Sequence, residues 1–312
     1  KLPHPLHDVA VIGTFDLHDY YGFSGTSAGV YPPWPRGQLA WHTDGFADTE
    51  PPPDLTTMRC VATPETGGET IFRCARLAAN RLGPAIDVGG AVGLVDPELV
   101  RIQYKLPKEA RLRASGFSLA WSSGGREGDA EVNVASGTDW PLLIREPVTG
   151  SRSIVTSYHV ASGVVLCPET GKVLHHLDFE QANRVVELAW KLPGGEAAAA
   201  ASAVALNDHG TQAPGSADDA SCMQAYREAL RATDEVILHA WRVGDLVAWS
   251  NRLVIHSATS TKLYPAGSTR IHHRIRLRAA DSHRPAAWRA GAHQMYEDLR
   301  AAGHRSGHTA EE

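Results

Sequence analysis

Apolar positions along this chain recur in short runs broken by glycine and proline, the spacing of strands more than of long helices. Val9-Ala10-Val11-Ile12, closed by Gly13, reads as a buried strand, and Leu55 to Val61 as a second. Between about 100 and 170, short runs such as Pro141-Leu142-Leu143-Ile144 and Ser153-Ile154-Val155-Thr156 return at roughly ten-residue spacing, which predicts a β-sandwich or barrel. The stretch 239–249 predicts a strand, a Gly244-Asp245 turn and another strand. Ile271, His273, Ile275 and Leu277 alternate against His272, Arg274, Arg276 and Arg278, a strand with one strongly cationic face. Helical spacing is confined to 74–82, 178–191, 221–232 and 286–301. In 178–191, Phe179, Ala182, Val185, Val186 and Ala189 fall on one side.

Composition narrows the class. The 312 residues suffice for one large domain spanning 1–312, with a flexible insert or lid at about 192–219 and a frayed tail at 302–312. The insert is rich in Gly, Ala, Ser and Asp and too poor in apolar residues to build a core. A net charge of -5 provides no basic field, so nucleic acid is not a favoured partner. Cys60, Cys74, Cys167 and Cys222 form no C-x-x-C pair, against a zinc ribbon or disulfide scaffold and in keeping with a reducing cytoplasm. No apolar run approaches the roughly 18 residues that span a bilayer. Because the first residue is Lys1, a signal peptide stays open. A small-molecule substrate fits this profile, and a homo-oligomer is compatible with it.

The candidate chemistry centres on Trp41-His42-Thr43-Asp44-Gly45-Phe46. On an extended strand, His42 and Asp44 point to the same side. One imidazole and one carboxylate are two-thirds of the 2-His-1-carboxylate set that holds non-haem Fe(II) with open positions. His256, at the end of the apolar run Leu253-Val254-Ile255, is the candidate third ligand. An iron enzyme binding a dicarboxylate needs a guanidinium to grip its far end, and Arg270 and Arg274 follow on the next strand. Thr70, after the Gly67-Gly68 turn, can add a hydroxyl. The aromatic loop 20–25 serves either packing or a substrate pocket.

These landmarks together resemble the TauD/TfdA family of Fe(II)- and 2-oxoglutarate-dependent dioxygenases. They are W-H-T-D at 41–44, P-P-P-x-L at 51–55, P-x-T-G-G-E-T-x-F at 64–72 and P-x-x-x-R-x-P-x-T-G at 141–150. W-R-x-G-D-L-V-x-W-x-N-R at 241–252, His256 and R-x-x-x-R at 270–274 complete the order. The resemblance implies a mainly β fold with flanking helices, a double-stranded β-helix (jelly-roll, cupin-like). It implies His42, Asp44 and His256 as the catalytic metal ligands, and Thr70 and Arg270 as the grip on 2-oxoglutarate. Arg274 and Gln38 match substrate-facing positions, and Asn251 a supporting one. The interval from His256 to Arg270 is longer than in the taurine enzyme, so Arg270 and Arg274 both stand as candidates for the grip.

The implied cofactor is Fe(II), with 2-oxoglutarate and O2 as co-substrates. The implied reaction is oxidation of an unactivated C–H, with hydroxylation the leading outcome and succinate and CO2 as co-products. Halogenating relatives lack the carboxylate that Asp44 supplies here. Desaturation, epoxidation or ring modification in secondary metabolism could use the same site. A zinc-dependent hydrolase is the rival outside the class.

Overall fold

Strand β2 (Leu55–Ala62) shows how this sequence makes sheets: Thr56, Met58 and Cys60 are buried while Arg59 between them is exposed. That alternation repeats across a computed structural model that describes residues 9–14, 41–45, 52–104, 138–157, 160–190, 228, 235–258 and 268–285. In chain order the remaining strands are β1 (Ala10–Thr14), β3 (Thr70–Cys74), β4 (Ile86–Asp87), β5 (Leu94–Val95), β6 (Val100–Tyr104) and β7 (Thr138–Pro141). They continue as β8 (Leu143–Arg145), β9 (Arg152–Ile154), β10 (Val160–Leu166), β11 (Val173–Leu177), β12 (Val236–His239), β13 (Leu246–Ser250), β14 (Val254–Ala258) and β15 (Arg270–Leu277). Two α-helices occur among the described residues, α1 (Ala75–Arg81) and α2 (Phe179–Trp190).

Every strand pairing among the described residues is antiparallel. One sheet has the order β1-β15-β2-β13, a second β11-β10-β6-β7 and a third β12-β3-β14; β4-β5 and β8-β9 are short ribbons. Neighbours far apart in sequence, such as β1 and β15, mean that the chain crosses between layers as it advances. The result is a mainly β jelly-roll with helices on the outside.

The β12-β3-β14 sheet separates two apolar clusters. Ile71 of β3 and Ile255 of β14 join the larger one, with Trp41, Ile102, Trp140, Ile154 and the buried Ala182, Val185, Val186 and Ala189 of α2. The opposite face carries Phe72 into a smaller cluster with Met58, Cys60, Trp241 and Trp249. Thr70, Phe72 and His256 therefore look inward toward the β1-β15-β2-β13 sheet. Arg73 ties α2 to β3: its buried guanidinium donates to the carbonyls of Ala189 (3.3 Å) and Trp190 (2.8 Å) and pairs with Glu235 at 3.2 Å. A cation at a helix C-terminus satisfies carbonyls that the helix leaves open.

Three sequence expectations change. The H-x-D motif does not sit on a regular strand; His42 makes an isolated antiparallel bridge to His256, and Asp44 already belongs to a turn. The bridge is one residue long because Gly45 turns the chain at once, at φ +87°. His256 stands at the middle of β14, not its end, since pairing with β3 continues through Ala258↔Thr70. The strand expected to begin at His239 instead ends there, as β12, and the chain reaches Trp241 outside regular pairing. The loop 20–25, Gln38, the 192–219 insert, nearly all of helix 221–232, helix 286–301 and the tail 302–312 lie outside the described residues.

Candidate metal centre and carboxylate clamp

The two halves of the candidate site meet through backbone. His42 N donates to His256 O at 2.9 Å, and His256 N donates to His42 O at 3.0 Å. This reciprocal pair brings the imidazole centroids to 4.2 Å. Trp41 is buried in the large core and Thr43 N donates to Thr156 O at 2.8 Å. His42 and Asp44 lie on the other side, so the period-two reading survives although the strand does not. One ligand atom each from His42, Asp44 and His256 falls within 4.8 Å of the other two.

Asp44 is fixed from several directions. Asn251 accepts from Asp44 N through Oδ1 at 3.0 Å, and its Nδ2 donates to Asp44 O (3.0 Å) and Pro53 O (2.9 Å). The carboxylate accepts from Thr56 Oγ1 at 2.9 Å on Oδ2 and from Arg274 Nη1 at 2.5 Å on Oδ1. A side chain at Gly45 would bring a Cβ to 2.6 Å from Pro53 Cδ, so the turn that ends this motif requires glycine.

Electrostatics leaves Asp44 and His256 in ligand form. Burial by itself would raise the Asp44 carboxyl. The Arg274 guanidinium, the imidazoles of His256 and His42 and the Thr56 hydroxyl overcome it and hold the group well below the usual carboxylate range. Burial, reinforced by His42, pushes His256 down to about 3, against the pull of Asp44. An ionised carboxylate beside a neutral buried imidazole is the protonation state that a divalent metal requires. The residues fit such an ion.

A second cluster lies on the same interior surface. Arg270, at the start of β15, donates through Nη2 to Thr70 Oγ1 at 3.2 Å and through Nε to Gly68 O at 3.0 Å. Gly68 adopts φ +76°, and a Cβ there would crowd Pro64 Cγ at 3.0 Å and Arg270 Cδ at 3.4 Å, which explains the glycine pair ahead of Thr70. Trp241 Nε1 also donates to Thr70 Oγ1, at 2.9 Å. Of the two arginines, Arg270 meets Thr70 and Arg274 meets Asp44. Thr56 and Trp241 went unassigned by sequence reasoning. Thr56 had only its place in a strand alternation, whereas Trp241 stood within the 241–252 landmark without a role.

Residues 137–276 match the family model described as taurine catabolism dioxygenase TauD, TfdA family. That segment is similar to the TauD/TfdA family. The matched segment, under half of the chain, includes His256, Arg270 and Arg274; His42, Asp44 and Thr70 lie outside it and reach it through the fold. Enzymes of the TauD/TfdA family are dioxygenases that use Fe(II), 2-oxoglutarate and O2. No curated protein matches the chain.

Among solved structures, a taurine dioxygenase from Burkholderia xenovorans is similar at 18% identity and a TM-score of 0.44, covering 89% of this chain and 68% of that one. A putative alpha-ketoglutarate-dependent taurine dioxygenase from the same organism gives 17% and 0.45, with coverage of 91% and 68%. The protein AAD-2, solved with Mn(II) and N-oxalylglycine, gives 20% and 0.43, with 77% and 64%. Such distant likenesses add nothing on the site.

Proposed function

We propose that this chain is an Fe(II)- and 2-oxoglutarate-dependent dioxygenase that oxidises an unactivated C–H of a small organic substrate, hydroxylation being the outcome. The observation that carries the reading is the conjunction of two clusters on one jelly-roll interior. One is a His-Asp-His set in which Asp44 is held ionised and His256 neutral, and the other is a buried guanidinium–hydroxyl pair, Arg270 with Thr70. The first cluster alone would not distinguish this enzyme from a zinc hydrolase, which needs it but has no use for the second.

In this reading His42, Asp44 and His256 hold the iron. Bound there, the iron would supply O2 activation coupled to oxidative decarboxylation of 2-oxoglutarate, giving succinate and CO2. Arg270 and Thr70 grip the distal carboxylate of 2-oxoglutarate, and the choice between the two arginines falls to Arg270 because only it meets Thr70. Arg274 presents its guanidinium beside Asp44, where a metal neutralising that carboxylate would free the arginine for an anionic group of the substrate. Gln38, four residues before His42 and outside the described residues, is assigned to the substrate pocket from the family resemblance alone.

Three of the cysteines, Cys60, Cys74 and Cys167, are free thiols, and no helix among the described residues is long and apolar enough to cross a membrane. The reading is of a cytoplasmic enzyme acting on a small molecule, without nucleic acid as partner and compatible with a homo-oligomer.

The test is succinate release from 2-oxoglutarate across a panel of small organic acids and amines, with Fe(II) and O2 supplied or withheld. Production that needs both, and that rises with one panel member, supports the proposal. Hydrolytic activity that persists without 2-oxoglutarate, accompanied by no succinate, would transfer the site to the zinc hydrolase reading.

A further inference from the structure

Trp241 is buried and holds the hydroxyl of Thr70 through its indole N–H, at 2.9 Å. A threonine hydroxyl has two acceptor lone pairs and one proton to donate. Arg270 Nη2 occupies a second direction on the same oxygen at 3.2 Å. With both lone pairs engaged, the hydroxyl can take part in one further hydrogen bond, and only as donor. Among the described residues that proton meets no acceptor. The partner it can accept is an anion or a carbonyl oxygen, brought in beside the Arg270 guanidinium.

The indole is itself held at a set angle. His239 meets it edge-on with ring centroids 4.5 Å apart at 90°, and His272 meets it with centroids 4.4 Å apart at 68°. His239 is also the β12 residue paired with Thr70 of β3. The chain leaves that pairing and returns the indole two residues later onto the Thr70 side chain. An indole nitrogen carries a donor and no acceptor, so unlike a water or a second hydroxyl it cannot reverse the polarity of this bond.

We infer that Trp241 is a positioning residue for the co-substrate: its N–H, together with Arg270, commits the Thr70 hydroxyl to donate to the distal carboxylate of 2-oxoglutarate. The inference rests on the proposed dioxygenase reading, and the experiment separates the two. Protein loaded with redox-inert Zn(II) is titrated with 2-oxoglutarate by calorimetry, using wild type, Trp241→Phe, Thr70→Val and the double variant. Trp241→Phe keeps an aromatic ring between the two histidines and removes only the donor.

The expected result is an affinity for 2-oxoglutarate about fivefold to tenfold weaker in Trp241→Phe, the scale of one neutral hydrogen bond. The double variant binds no more weakly than Thr70→Val, because the N–H acts only through the hydroxyl. Affinity for 2-oxopentanoate, which lacks the distal carboxylate, is the same in Trp241→Phe and wild type, and so is affinity for Zn(II). A full Trp241→Phe penalty in the Thr70→Val background, or none in the wild-type background, overturns the inference. Absence of 2-oxoglutarate binding by wild type overturns the co-substrate reading instead.

A second readout needs no change at Trp241. In zinc-loaded wild type with ¹⁵N-labelled tryptophan, one of the eight indole N–H resonances shifts both on adding 2-oxoglutarate and on introducing Thr70→Val. If no resonance responds to both, the inference fails.

Discussion

Asn251→Ala is expected to damage the metal centre without touching a ligand. The Asn251 side chain is buried and makes three hydrogen bonds, two to the backbone of Asp44 and one to Pro53 O. It thereby splints the turn that presents the carboxylate, from a position 207 residues away in sequence. Alanine leaves one N–H and two carbonyls in the interior without that partner. At about 1 kcal/mol for each neutral hydrogen bond, the loss is about 3 kcal/mol, and more where the freed groups stay dry. For a chain of this size that corresponds to a fall in melting temperature of about 5 °C. Groups that orient a metal ligand from outside typically contribute tenfold to a hundredfold in metal affinity, so Mn(II) binding followed by electron paramagnetic resonance should weaken by about that factor. Asn251→Asp should be at least as harmful, since it turns an oxygen toward two carbonyl oxygens and adds a negative charge beside Asp44. A melting temperature within about 1 °C of wild type would refute the splint. A lowered melting temperature with unchanged Mn(II) affinity would refute its role in placing Asp44.

Two further expectations concern the same interior. Thr56→Val removes the hydroxyl that donates to Asp44 Oδ2 and should weaken Mn(II) binding about tenfold to a hundredfold, with Thr56→Ser restoring most of it; equal affinities in all three proteins would contradict this. In the metal-free protein, burial holds His256 at about 3 and His272 at about 2, against an ordinary value of 6.5. From pH 6.5 down to about 3 the unfolded chain therefore takes up protons that the folded one refuses, so stability falls as pH falls, by about 1.4 kcal/mol per pH unit for each imidazole. His272→Met should reduce the slope of stability against pH between 6 and 4 by one proton's worth, as read by urea unfolding; an unchanged slope would mean that His272 is protonated in the fold.

Much of the fold was legible in the sequence because sheet burial writes a local period. The strand at 55–61, the helix at 178–191 and the alternation at 271–277 could each be read from their own residues, and each has its counterpart in β2, α2 and β15. The H-x-D motif was legible as chemistry but not as local structure. Nothing local says that Gly45 ends the extended segment one residue after Asp44, a consequence of Pro53 packing against it. The contacts that complete the site were the least legible. Arg274 reaches Asp44 across 230 positions and Trp241 reaches Thr70 across 171, and such pairings leave no periodic trace. The cationic face of β15 illustrates the point: the sequence showed that Arg270 and Arg274 shared a strand, while only the opposing sheets separate them, one to a hydroxyl and the other to a carboxylate.

The most direct measurement is an anaerobic titration of the full chain with Fe(II) in the presence of 2-oxoglutarate, followed by visible absorbance. Chelation of 2-oxoglutarate to iron at His42, Asp44 and His256 predicts a weak metal-to-ligand charge-transfer band. The band should saturate at one Fe(II) per chain, disappear in His42→Ala and require more 2-oxoglutarate in Arg270→Met. Absence of a band in wild type, or a band that survives His42→Ala unchanged, would contradict the account at its centre.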